Sequence, residues 1–214
     1  MEELLSLNKN QTIGVFGGTF DPPHIGHLIL AEEAVNQLHL DQFLWVLTPT
    51  PPHKYGRLIS NIETRIRLVE AAIESNPTFK ISRVDINRPA PHFAVDTLRL
   101  LRREFLDSKL IYLIGGDSFH DLPNWHQPEV LLDLCHQLGV MRRPQDQVNL
   151  GKLLEKMPGL EKKLIMLEAP EIQISASDIR SRIIQKKAFR YFVPSGVFRI
   201  IEAENLYSSS EANF

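Results

Sequence analysis

The chain has 214 residues, 43% apolar and 23% charged, with 24 Lys and Arg against 26 Asp and Glu for a net charge of −2. That length holds one domain with a sizeable core, and the mixture excludes a disordered tail, a collagen and a small disulfide scaffold. The charge balance argues against non-specific binding to nucleic acid or an acidic membrane, while leaving room for a local basic pocket.

Short apolar runs alternate with stretches of helical period. Thr12–Phe16 reads as a buried strand leading into Gly17-Gly18, and Leu28, Ala31, Val35 and Leu38 then mark one helical face. Phe43–Leu47 is a second strand, followed by the Pro-rich loop TPTPPHK. Ser60 and Glu63 have the spacing of a capping box that opens a helix with Ile62, Ile66, Val69 and Ile73 on one side. Phe79–Val84 is a third strand, and Val95, Leu98, Leu101 and Phe105 mark the next helix. Leu110–Ile114, five apolar residues ending at Gly115-Gly116, is the clearest strand; weaker ones cover Gln137–Met141 and Lys163–Leu167. The last helices begin near Asp178 and Val197, the polar stretch Arg142–Asn149 is the most linker-like, and residues 208–214 are expected to fray. This alternation predicts an α/β protein: a doubly wound, Rossmann-like parallel sheet with helices on both faces and a small C-terminal helical subregion. The whole of 1–214 is expected as a single domain with an ordered core over 10–207.

The single Cys135 has no internal disulfide partner and fits a reducing compartment. No apolar run reaches the length of a membrane span, and the opening MEELLSLNKNQ has no apolar signal core. A soluble cytoplasmic protein is expected, without membrane or nucleic-acid partners; a homo-oligomer is left open.

Parallel sheets bind ligands at the carboxyl ends of their strands. The first such end reads GGTFDPPHIGH, from Gly17 to His27. Its two glycines allow close backbone approach, and the helix start behind them offers free N–H groups that suit phosphate. Neither the dinucleotide fingerprint nor the P-loop is present. His24 and His27, three apart, point the same way at a helix opening. Three readings stand for them: two imidazoles on one phosphate, two polar helix-start residues, or a zinc pair, for which the lone Cys135 supplies no thiolate cluster.

GGTFDPPHIGH resembles the signature of the HxGH nucleotidylyltransferases, and within them of the bacterial nicotinate-nucleotide adenylyltransferases. The resemblance extends along nearly the whole chain, to VPSGVFRIIEAENLY near its end, where Pro194 would start the last helix. It implies adenylyl transfer from ATP, with Mg²⁺, to a pyridine mononucleotide. His24, His27, Lys54 and Arg180 would be the catalytic groups. Gly17, Gly18, Thr19, Phe20, Gly116, Asp117 and Ser177 would hold ATP. Asp21, His53, Ala94, Trp125, His126 and Arg143 would meet the acceptor nucleotide. No residue is assigned as a metal ligand.

Several of these positions also carry a physical reading of their own. The stiff loop PPHK would hold Lys54 as a fixed charge over phosphates, with His53 near the acceptor; by itself the segment reads as an ordinary surface loop. In Ile174–Arg180, Ser175 or Ser177 can cap a helix and Asp178 suits its positive end, whereas Arg180 and Arg182 oppose it unless an anion is bound or Asp178 pairs with an arginine. Trp125 offers a flat face for an aromatic ring, or a core side chain. Two departures touch the acceptor pocket. Ala94 replaces the threonine usual in the family, and His126 stands where a tyrosine often follows the tryptophan. They bear on the choice between nicotinate and nicotinamide mononucleotide. A nucleotide sensor that has lost catalysis should have lost phosphate-site charges, yet all four catalytic groups are present.

Overall fold

The computed structural model describes residues 10–50, 59–141, 150–170 and 172–208. Among these, six strands form one parallel sheet in the order β3-β2-β1-β4-β5-β6. The strands are β1 (Thr12–Gly18), β2 (Gln42–Leu47), β3 (Phe79–Ser82), β4 (Lys109–Gly115), β5 (Gln137–Met141) and β6 (Leu164–Leu167). Between and after them lie α1 (Ile25–Leu38), α2 (Ile62–Ile73), α3 (Ala94–Glu104), α4 (Gly116–Asp121), α5 (Pro128–Leu134), α6 (Leu150–Lys156), α7 (Ala176–Ile184) and α8 (Ser195–Ala203).

The strand runs are continuously apolar because both faces of the sheet are covered. In β4, Ile111 and Leu113 face one core with α1, α2, α7 and α8, while Leu110, Tyr112 and Ile114 face the other with α3, α4, α5 and α6. The period of two thus sorts one run into two cores. The chain winds outward from β1 to β3, then crosses back to place β4 on the other side of β1. That reversal opens a crevice beyond the carboxyl ends of β1 and β4, where open α/β sheets hold ligands.

Local details differ from the sequence reading in four places. The α2 cap is Asn61, whose side chain accepts from Thr64 N–H at 2.8 Å; Ser60 instead spends its backbone on Asp21 and Arg65. Strand β3 stops at Ser82, because a turn closed by Asn87 N–H on the Arg83 carbonyl lifts the chain from the sheet edge. Arg182 lies in the last turn of α7, where a cation suits the helix dipole, and pairs with Asp178 at 3.2 Å. Arg180 is beyond the first turn, so neither arginine opposes the helix start. The expected linker 142–149 and the tail from 209 lie outside the described residues; among those described, no helix is long and apolar enough to cross a membrane.

Candidate active site

The turn after β1 is held by its own side chains. His24 is the N-cap of α1, in extended conformation, and is buried at 5% exposure. His27 Nδ1 accepts from the His24 backbone N–H at 3.2 Å, so the neutral His27 ring carries its proton on Nε2. The two imidazoles stack, with centroids 3.6 Å apart and planes 19° from parallel. Gly26 between them leaves room for this stack: a β-carbon there would sit 3.1 Å from His24 Nδ1, a tight approach. The first turn of α1 has no acidic residue, so no side chain offsets the positive end of its dipole.

Phe20 and Gly18 form a second unit. Phe20 has a positive φ of 49°, a costly conformation for a bulky residue. Its ring is buried among Phe16, His27 and Trp45, which holds that backbone in place. A β-carbon at Gly18 would lie 2.6 Å from Phe20 Cζ. The missing side chain at Gly18 makes room for the ring of Phe20, while Gly18 also lines the cavity beside it. Phe20 itself, expected at ATP, is a core side chain of the turn.

The start of α7 meets this turn. Arg180 Nη1 donates to the Asp21 carbonyl at 2.5 Å, and Ile174 lies 3.9 Å from the β-carbon position of Gly26. Ser175 caps α7 through Asp178 N–H at 3.1 Å, with Ser177 Oγ 3.0 Å from Ser175 Oγ. Two helix N-termini, one guanidinium and two imidazoles thus share one edge of the crevice, an arrangement suited to a polyanion.

Asp21, expected at the acceptor nucleotide, is buried, with Oδ2 accepting from Ser60 N–H at 3.0 Å and Oδ1 from the Tyr207 hydroxyl at 2.6 Å. Both oxygens are engaged within the protein, which makes Asp21 an anchor of the turn. Burial, then the Asp21 charge, raises the Tyr207 phenol far above its usual range, so it stays a donor. Arg65, at 1% exposure, completes the anchor. Its guanidinium donates to the carbonyls of Ser60 (2.9 Å), Thr19 (3.0 Å), Thr48 (2.9 Å) and Pro49 (2.9 Å). Burial lowers its pKa, opposed by Asp21 and Tyr207. Sequence reasoning missed Arg65, although a cation beside Ile62, Ile66 and Val69 on the apolar side of α2 was a visible signal.

Beside this edge lies a cavity of about 570 Å³. Gly17, Gly18 and Thr19 form one wall at the end of β1, with Tyr112 of β4 nearby. Ala94 and Thr97 of α3 line another side, and Trp125 and His126 close it. Phe93 stacks on His126 with centroids 4.2 Å apart, and Trp125 meets Tyr112 edge-on at 6.3 Å. Burial first, then the Asp85 charge, raises the Tyr112 phenol, which remains protonated. Asp85, also unforeseen, lines the cavity at 3% exposure; its Oδ1 accepts from Arg88 Nε (2.9 Å) and Thr97 Oγ1 (2.8 Å). Arg88 in turn holds the carbonyls of Pro91 and Phe93, fixing the approach to α3.

Of the other expected site residues, Gly116 opens α4 and does not line this cavity. Asp117 follows it on α4, its side chain outside what the structure describes, as are His53, Lys54 and Arg143. Among the described residues no group of three or more His, Cys, Asp and Glu is placed to hold a metal ion.

A strand-end crevice with a basic edge and an aromatic cavity defines a nucleotide-binding α/β fold. The model of the cytidylyltransferase-like family matches residues 15–182, from β1 through α7, and the chain belongs to that family. A protein of Thermomicrobium roseum named "probable nicotinate-nucleotide adenylyltransferase" is 44% identical over 94% of this chain and 93% of its own. The nicotinate-nucleotide adenylyltransferase of Bacillus subtilis is 34% identical over 92% of this chain and 98% of its own. The Plasmodium falciparum nicotinic acid mononucleotide adenylyltransferase complexed with NaAD has the same fold, with a TM-score of 0.75 at 17% identity, covering 92% of this chain and 98% of that one.

Proposed function

We propose that this chain, acting as one cytoplasmic domain, transfers the adenylyl group of ATP to nicotinate mononucleotide. The products are nicotinate adenine dinucleotide and pyrophosphate, a step of NAD biosynthesis. The observation that carries the reading is the contact of Arg180 with the turn that bears His24 and His27, beside an aromatic cavity. Relatives bearing that name, at 34% to 44% identity, support the choice of substrates.

The acceptor's 5′-phosphate has a second pKa of about 6 and is mostly a dianion at neutral pH, so no general base is needed. One of its oxygens bonds to the α-phosphorus of ATP as the bond from that phosphorus to the bridging oxygen breaks, and pyrophosphate leaves with the electron pair. Catalysis is then positioning and charge stabilisation. His24 and His27 donate to α- and β-phosphate oxygens, while Arg180 and Lys54 neutralise the β and γ groups. Gly17, Gly18, Thr19, Gly116, Asp117 and Ser177 hold ATP; Ala94, Trp125, His126, His53 and Arg143 hold the acceptor. Mg²⁺ would be carried largely by phosphate and water oxygens of the bound triphosphate, where it would supply charge neutralisation.

Ala94 keeps a second reading open, with nicotinamide mononucleotide as acceptor. The test is to incubate the protein with ATP, Mg²⁺ and each mononucleotide in turn, and to identify the dinucleotide and pyrophosphate formed. No dinucleotide from either acceptor rejects the reading.

A further inference from the structure

A second groove, of about 790 Å³, opens on the α3 side of the sheet, where β3 is the edge strand. Gln42 and Leu44 of β2 and Lys80 and Ser82 of β3 line it from the sheet, and Leu100 and Arg103 of α3 line it from the helix. It shares no lining residue with the aromatic cavity, and adenylyl transfer makes no use of it.

The groove is cationic. Arg88 on its lining pairs with Asp85 at 2.8 Å, but Lys80, Arg83 and Arg103 have no ion-pair partner among the described residues. Glu104 is the one acidic side chain of the described lining. Leu44, Leu100 and Phe105 add an apolar strip, and Leu106 beside them is 77% exposed. A surface of this kind suits an extended segment with carboxylates and aliphatic side chains in close succession.

The chain carries such a segment, and it starts beside the groove. Gln11 precedes β1, where Ile13 is in register with Gln42, so the entry to β1 lies about 4.8 Å, one strand spacing, from the groove's β2 wall. On the other side the Gln11 carbonyl accepts from Lys109 N–H at 2.7 Å, next to the stretch Phe105–Ser108 that follows α3. Asn10 has a positive φ of 62°, which bends the chain out of the strand line at this point. The nine residues before it read MEELLSLNK, with Glu2 and Glu3 followed by Leu4, Leu5 and Leu7. Fully extended they reach about 30 Å, against about 10 Å from Lys80 to Arg83. A tethered segment has an effective concentration in the millimolar range, so solvent-exposed ion pairs too weak to hold a free partner can hold this one.

We propose that Met1–Lys9 folds back into this groove of its own chain, with Glu2 and Glu3 against Lys80, Arg83 and Arg103 and the leucines over Leu100 and Leu106. Docked in this way, the segment covers the open face beside the edge strand.

The experiment is zero-length carbodiimide cross-linking of the full chain at low micromolar concentration, with the links mapped by mass spectrometry. Isotope-labelled and unlabelled protein are mixed, so that links within one chain are told from links between two. The expected product is an amide joining Glu2 or Glu3 to Lys80 within one chain, and added salt should lower its yield. The yield should also fall about fivefold or more in Arg83→Gln/Arg103→Gln and in Leu4→Ser/Leu5→Ser, since both keep the linked groups and remove part of the grip. Circular dichroism checks that each variant is folded, and Arg103→Gln alone serves where the double replacement is not. A yield within about twofold of wild type in either folded variant overturns the docking, because the carboxylates then meet Lys80 by random collision. A Lys80 link confined to Glu104 overturns it too. A link found only between chains assigns the groove to a second copy and overturns it equally.

Discussion

The two walls of the crevice are built differently. At the turn after β1, almost every group that shapes the wall is bonded to another part of the protein: Asp21 to Ser60, Tyr207 and Arg180, Arg65 to four carbonyls, and His27 to the backbone of His24. Beside it, the rings of Phe93, Tyr112, Trp125 and His126 line an open volume. The difference separates two tasks. Stabilising charge that develops on phosphate requires donors fixed beforehand. Receiving a flat acceptor ring requires open space between aromatic faces.

The sharpest way to break this contrast is to loosen the fixed wall. Arg65→Met leaves four carbonyls without their donor and removes the cation whose charge the Asp21 carboxylate feels, and should cost about 4 kcal/mol of stability by urea unfolding. A loss below about 1 kcal/mol would show that the turn does not depend on this guanidinium. His24→Ala should lower kcat by about 10²- to 10³-fold while moving KM for ATP by less than about threefold, as expected for a donor used in the transition state. An unchanged kcat rejects the role given to His24. On the acceptor wall, Trp125→Ala should raise KM for the mononucleotide about tenfold and leave KM for ATP nearly as it was. Parallel rises in both would show that the walls are not separable.

The smallest effect should come from Tyr207→Phe, about 1 kcal/mol at neutral pH. Here the pH dependence has a definite sign. Burial and Asp21 raise the folded phenol, whereas the unfolded one ionises near pH 10. Its contribution is whole below that pH and declines as pH climbs beyond it. Tyr112 is raised as well, and the Cys135 thiol is pushed up by burial to about 11, so the wild-type curve falls for several reasons. Subtracting the Tyr207→Phe curve isolates the Tyr207 phenol, and identical slopes above pH 10 would refute its raised ionisation.

All six strands were legible because each is a run of apolar residues between polar turns, and a sheet covered on both faces writes itself as such runs. Helices α1, α2 and α3 show a full apolar period, but α4, α5 and α6 have six or seven residues, too few to establish one. The cap of α2 was misplaced by one residue because Ser60, an ideal cap by type, is used by Asp21 and Arg65, which only the folded chain brings near. The site divides the same way. His24, His27 and Arg180 stood in dense local motifs. Asp85 and Arg65 act through partners such as Arg88 and the carbonyl of Thr19, and no local motif spells out such a partner.

The hydrogen bond from Tyr207 to Asp21 joins positions 186 residues apart. Its consequence concerns the order of events in synthesis. The sheet can assemble from residues up to 167 as they emerge, yet the bend that carries the paired imidazoles gains its last support only when α8 and Tyr207 dock. A ribosome-bound intermediate, or a proteolytic fragment clipped before that docking, would keep its strands and lack a finished phosphate grip. Competence is thereby deferred until translation has delivered position 207.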